Sequence, residues 1–212
     1  MMGFDLSLYL ILDPGLCRDR GMVETARLAV AGGATMVQLR DKTGGTARLV
    51  ETGRALKAAL AGTGAVLIIN DDVEAALAID ADGVHVGQGD MDPGAVRRRI
   101  GPRRVLGLSV ESADAAMAVD PVQVDYAGAG PVFATATKPD HKPPVGFVGL
   151  GEMVRACPVP VVAIGGLNAE HAAPVRKSGA HGMAVVSAIC GQSDPRAAAR
   201  RIVLAWQGAL VG

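Results

Sequence analysis

Gly33-Ala34-Thr35-Met36-Val37-Gln38-Leu39-Arg40-Asp41-Lys42 is the stretch whose reading decides how this chain folds. A glycine and an alanine turn tightly into a short apolar run, and the run leaves through alternating polar residues. Side chains in an extended chain alternate, so Gln38, Arg40 and Lys42 point to one side while Leu39 points to the other. Two cations on one strand face, at its C-terminal end, are poorly explained by packing. They suit a polyanion such as a diphosphate, which an arginine can fork and a lysine can meet as a point charge. A solvated strand end accounts for this hexapeptide equally well in isolation.

The way into this strand is repeated elsewhere. Asp80-Ala81-Asp82-Gly83 leads into a fourth apolar run and Gly179-Ala180-His181-Gly182 into an eighth. Each reads as a helix end followed by a tight approach to a strand. Strands are expected at Ser7–Leu12, Met36–Leu39, Val66–Ile69, Gly83–Val86, Val105–Leu108, Tyr126–Gly128, Val161–Ile164 and Met183–Val186. Helices are expected near Met22–Ala31, Thr46–Ala61, Asp72–Ala78, Pro93–Ile100, Ser112–Ala118, Gly149–Ala156, Ala169–Ser178 and Pro195–Leu210. Eight strands, each followed by a helix, describe an α/β protein with a (β/α)8 TIM-type barrel, one domain over residues 1–212. A doubly wound open sheet shares the alternation and stays open on this ground.

Composition removes several function classes. Half of the 212 residues are hydrophobic, enough for a substantial core. Basic and acidic residues number 21 each, and phosphate-backbone binding normally needs a basic excess, so no nucleic acid partner is expected. Aromatics are too scarce for base-stacking platforms. Cys17, Cys157 and Cys190 lack zinc or CxxC spacing and read as reduced and buried. Met1–Leu12 carries Asp5 and no basic start, and the uncharged stretches are short and broken by Gly and Pro. No signal peptide and no membrane partner are therefore expected, and the location expected is cytoplasmic.

In either α/β architecture chemistry gathers where strands end. Those ends read Asn70-Asp71-Asp72, Gly87-Gln88-Gly89-Asp90, Ser109, Thr135-Ala136-Thr137-Lys138, Gly165-Gly166 and Val186-Ser187. Asp71 and Asp90, on adjacent strand ends, could share a hard cation such as Mg2+ that keeps most of its waters. The alternative is that they cap helices or turns; we assign Asp72 that duty and reserve Asp71 and Asp90 for metal. Arg40, Lys42 and Lys138 with one Mg2+, less two aspartates, leave three positive charges, against about three negative charges on a diphosphate ester. Gly165-Gly166, before a helix, lets backbone N–H groups approach an anion, and Val186-Ser187 would complete that site. His85 reads as a packing or supporting residue, and His141, His171 and His181 as surface residues.

Together Val37–Lys42, Ile69–Asp71, Asp82–Gln88 with Asp90, Gly107-Leu108-Ser109, Asp125–Asp140 and Ala163–Gly166 resemble the motifs of the thiamine-phosphate synthases, in order over nearly the whole chain. The resemblance implies a TIM barrel that joins an aminopyrimidine methyl diphosphate to hydroxyethylthiazole phosphate, releases pyrophosphate and needs Mg2+. It also implies pyrimidine-diphosphate contacts from Gln38, Leu39, Arg40, Asp41, Lys42, Asn70, Ser109 and Lys138, with Arg40, Lys42, Ser109 and Lys138 in the chemistry. It further implies Mg2+ on Asp71 and Asp90, and the thiazole phosphate on Thr135, Ala136, Thr137, Gly166, Val186 and Ser187. Ala134, Ala136 and Val186 depart from the residues common in that family. Related thiazole tautomerases tend to carry a histidine before the Val-Phe pair, where Pro131 stands here; a non-catalytic phosphate-metabolite sensor would need neither the aspartates nor the cations. The expected partners are small-molecule phosphates and diphosphates; oligomeric state, a homo-oligomer included, stays open.

Overall fold

A computed structural model describes residues 3–135, 137 and 142–209. Its eight parallel strands are β1 Leu8–Leu12, β2 Met36–Leu39, β3 Val66–Asn70, β4 Gly83–Val86, β5 Val105–Val110, β6 Tyr126–Ala129, β7 Val161–Ile164 and β8 Gly182–Val185. They pair in chain order, and β8 returns to β1 through Leu8↔Met183, Tyr9↔Ala184 and Leu10↔Val185, which closes the barrel. The open sheet is thereby excluded.

Alternation divides each strand between two cores. Leu8, Leu10, Val37, Leu39, Leu67, Ile69, Val84 and Val86 point outward into the layer beneath the helices. Tyr9, Ile11, Met36, Ile68, Tyr126, Val162 and Ala184 fill the interior. A parallel strand covered on both faces must be apolar on both, hence the continuous Val/Ile/Leu runs.

The outer ring comprises α1 Pro14–Cys17, α2 Met22–Ala31, α3 Gly45–Leu60, α4 Val73–Ala78, α5 Pro93–Ile100, α6 Ala113–Met117, α7 Gly146–Ala156, α8 Ala172–Lys177 and α9 Pro195–Gly208. Asp13, Asp72, Asp92, Ser112 and Asp194 each turn a side-chain oxygen back to a first-turn N–H, so five helix starts are written in sequence as caps. Two differences from expectation have local causes. α1 and the 3-10 turn Arg18–Arg20 are too short for apolar periodicity to show, although Asp13-Pro14 is a legible start signal. The helix expected over Ala169–Ser178 begins as a 3-10 turn, Ala169–His171, with Asn168 and His171 capping one another. Among the described residues no helix is long and apolar enough to cross a membrane.

Candidate active site

The C-terminal mouth of the barrel opens into a cavity walled by residues from every strand end. Gln38, Arg40 and Lys42 line it, on the inward side of β2 and its extension, while Leu39 and Asp41 face away. Leu39 is buried among the helices. Asp41 Oδ1 accepts from the Thr43 N–H and hydroxyl and from the Gly44 N–H, each at 3.0 Å, and Arg48 Nε lies 3.2 Å from Oδ2. Burial pushes this carboxyl up, but the Thr43 and Gly44 donors and Arg48 outweigh it and hold it below the usual range. Asp41 therefore braces the turn that carries Lys42 and does not line the cavity.

β3 and β4 bring the two aspartates together. Asp71 sits at φ +61, a left-handed conformation that Asp and Asn tolerate better than most residues, and its N–H donates to the His85 carbonyl at 2.9 Å. Asn70 Nδ2 donates to Asp71 Oδ2 at 2.6 Å. The Asp90 carboxyl lies within hydrogen-bonding reach of Asp71 and also accepts from the Gly87 N–H at 2.7 Å. Burial first, then the bond and charge of Asp90, push the Asp71 carboxyl up to about 6, with Lys42 and Asn70 opposing. The pair is thus short of positive charge. Among the described residues no group of three His, Cys, Asp or Glu side chains could hold a metal ion. Two carboxylates beside Arg40 and Lys42 at an open mouth fit Mg2+, which takes its other ligands from water and phosphate.

Neither aspartate is the cap of a helix. Asp72 caps α4 through the Ala75 N–H at 2.8 Å and takes the Thr46 hydroxyl at 2.7 Å, as expected of it. Asp92 caps α5 through the Ala95 N–H at 2.9 Å. Asp90 retains a local role, closing its own turn onto Gly87.

Across the mouth the described lining residues at the ends of β6, β7 and β8 are uncharged. Thr135, Thr137, Gly166, Val186 and Ser187 line it from the ends of β6, β7 and β8. The β6 loop is zipped to β7 by Val132 N–H to Ile164 O at 2.9 Å and Phe133 N–H to Gly165 O at 3.0 Å. Gly165 and Gly166 hold φ of +104 and +63, and a Cβ on Gly166 would come within 2.8 Å of the Ala134 carbonyl oxygen. Glycine is required there for backbone conformation and for close approach. The Phe133 ring meets Phe147 edge-on at 5.1 Å and lies 4.8 Å from His171, which pins the base of the loop. His171 is thus engaged in loop packing as well as its cap. Ala136, Lys138 and His141 lie outside the described residues.

Asn70 and Ser109 also reach the cavity. Ser109 Oγ lies 2.9 Å from His85 Nε2, and the buried His85 ring touches Tyr126. Burial lowers the His85 imidazole to about 4, with Asp90 opposing. Sequence reading missed Tyr9, which also lines the cavity, and Tyr126 behind it. They are the chain's only tyrosines, set at inward positions of otherwise aliphatic strands, and that was the available signal.

A closed parallel barrel with charged and anion-accepting groups gathered at one mouth defines the class: a (β/α)8 enzyme of phosphorylated small molecules. The family model described as "Thiamine monophosphate synthase" matches residues 8–189, and the chain belongs to that family. It is 54% identical to the thiamine-phosphate synthase of Solidesulfovibrio magneticus, over 97% of this chain and 98% of the relative. It is 51% identical to the thiamine-phosphate synthase of Xanthobacter autotrophicus, over 94% of each. A solved thiamine phosphate pyrophosphorylase from Pyrococcus furiosus superposes with a TM-score of 0.88 at 36% identity, covering 99% of this chain and 100% of that one.

Proposed function

We propose that this transferase joins 4-amino-5-hydroxymethyl-2-methylpyrimidine diphosphate to hydroxyethylthiazole phosphate, giving thiamine monophosphate and pyrophosphate. The observation that carries the reading is the pairing, in one cavity, of a cationic and carboxylate wall with a wall whose described lining includes glycines and hydroxyls. Family membership supports it.

Arg40 and Lys42 bind and orient the pyrimidine diphosphate, joined by Lys138, and hold the charge that gathers on the leaving oxygen. Mg2+ on Asp71 and Asp90 would supply further neutralisation of that diphosphate. Asn70, Gln38 and Ser109 meet the pyrimidine ring, and an amide can both donate to and accept from an aminopyrimidine edge. The bond from the pyrimidine methylene to the diphosphate oxygen breaks, and the ring delocalises the cation left behind. Gly166, Ser187 and Val186, with Thr135, Ala136 and Thr137, hold the thiazole phosphate so that its ring nitrogen meets that carbon. The nitrogen lone pair forms the new bond, so no protein base is needed; holding both partners in line supplies much of the acceleration.

Incubation of the purified chain with both substrates, with and without Mg2+, tests this. The expected result is thiamine monophosphate and pyrophosphate in equal amounts, dependent on Mg2+. No product under any divalent cation would overturn the reading.

A further inference from the structure

A line of hydrogen bonds crosses the barrel interior beneath the cavity. Gln38 Nε2 donates to Tyr9 Oη at 2.7 Å, and Tyr9 Oη pairs with Tyr126 Oη at 2.9 Å. Tyr126 Oη pairs with His85 Nδ1 at 2.9 Å, and His85 Nε2 with Ser109 Oγ at 2.9 Å. The members come from β2, β1, β6, β4 and β5, so the line runs across the barrel and joins opposite walls. Both ends, Gln38 and Ser109, line the cavity, as do Tyr9 and His85, while Tyr126 lies behind them.

Neighbouring strands give up side chains to make room for this line. A Cβ on Gly107 would lie 2.4 Å from His85 Nδ1 and 2.2 Å from Tyr126 Cζ, and one on Gly128 would lie 3.3 Å from His85 Cε1. Glycine inside a strand is unfavourable by itself, so its use twice around one imidazole marks a built position.

The polarity of the line follows from its first member. An amide nitrogen can only donate, so Tyr9 Oη accepts from Gln38 and is left with its own proton to place. Tyr126 is its remaining partner in the line. Tyr126, receiving that proton, directs its own to His85 Nδ1, because a buried hydroxyl proton without an acceptor is costly. An imidazole that accepts at Nδ1 is neutral and carries its proton on Nε2. Nε2–H then donates to Ser109 Oγ, and the Ser109 proton is turned away from His85, toward the cavity. The field agrees: Arg40 and Lys42 stand at the Gln38 end, and this order points the positive ends of the dipoles away from them.

We propose that His85, backed by Tyr126 and Tyr9, is a positioning residue that sets the Ser109 hydroxyl as a hydrogen-bond donor, so that Ser109 reads an unprotonated ring nitrogen of the substrate. The identity of that ring rests on the function proposed above; the proton order does not.

Two measurements test it. In the full chain with 15N-labelled histidine and no ligand, the His85 ring signals, assigned by their loss in His85→Gln, should show a protonated Nε2 and a bare Nδ1. A proton on Nδ1, or on both nitrogens at neutral pH, overturns the proton order. The second compares the pyrimidine diphosphate with two analogues in which each ring nitrogen in turn is replaced by C–H. One analogue should lose about tenfold in kcat/KM with the wild type, the worth of one buried hydrogen bond. Tyr126→Phe, which removes a single oxygen, should erase most of that discrimination. His85→Gln should retain it, because its amide N–H stands where imidazole Nε2–H stood. Equal losses for substrate and analogue in Tyr126→Phe, with the discrimination intact, would mean a merely structural role and overturn the proposal. A wild type that makes no thiamine monophosphate would defeat the proposed function, while the ring signals would still decide the proton order.

Discussion

The two halves of the barrel mouth differ in the kind of group they present to the cavity. From β2 to β4 the wall is made of charged side chains, Arg40, Lys42, Asp71 and Asp90. From β6 to β8 the described lining includes Gly130, Gly165, Gly166, threonine hydroxyls and Ser187, and none of the described lining residues there is charged. Under the proposed reaction the difference has a reason. The diphosphate gains charge as its bond to carbon breaks, so mobile countercharge is placed beside it. The thiazole phosphate ends the reaction as it began, and neutral dipoles suffice to hold it.

The largest expected effect tests the charged half. Asp71→Asn and Asp90→Asn should each lower turnover by about 10²–10³-fold, the scale of losing one preorganised electrostatic contact. Asparagine tolerates the left-handed conformation at position 71, so thermal unfolding of Asp71→Asn should stay near that of the wild type. Unchanged turnover and Mg2+ response in both variants would make the aspartates turn-closers only.

The neutral half should answer in binding. Gly166→Ala should raise KM for the thiazole phosphate about tenfold and leave KM for the pyrimidine diphosphate nearly unmoved. The same change should cost roughly 1–2 kcal/mol of stability, because alanine at φ +63 is strained. Its Cβ also presses on Phe133 and the Ala134 carbonyl, so a larger side chain would disturb the whole loop. Equal KM changes for both substrates would show that the halves are not independent.

Two further substitutions separate support from chemistry on the charged side. Asp41→Ala leaves the Thr43 and Gly44 donors without their shared acceptor and should cost about 1–3 kcal/mol in urea unfolding. The folded Asp41 carboxyl sits below the ordinary value, so its stabilisation is complete above about pH 4 and is lost as pH falls through the depressed value. The difference between wild type and variant should therefore narrow in acid; a gap that widens in acid would contradict the brace. Asp72→Ala should cost least, about 1 kcal/mol, the worth of a helix cap. Its turnover should match the wild type, and a large kinetic loss would move Asp72 into the site.

Much of this was legible in one dimension. The eight strands, and the sidedness of Gln38, Arg40 and Lys42, follow from period two, and Asp72-Val73 and Asp92-Pro93 announce their helices. α7 was harder: three glycines in Gly146–Gly151 weaken its helical signal, and it begins earlier than Gly149. Asp41 shows the limit of carrying a motif over whole. It stands between two cavity residues in sequence, yet alternation sends it to the other side, where it holds the turn.

The sequence by itself determined which segments extend, which coil and which face of each strand is polar, because these depend on neighbours two to four residues away. Closure did not follow from it: the pairing of β8 with β1 joins residues about 175 positions apart, and no local pattern separates a barrel from an open sheet. The Asp71–Asp90 contact and the line from Gln38 to Ser109 likewise exist only once the barrel has brought separate strands together. A carboxyl becomes a metal ligand or a cap, and a histidine a base or a support, according to which groups face it across the fold, and those distances are set by tertiary packing.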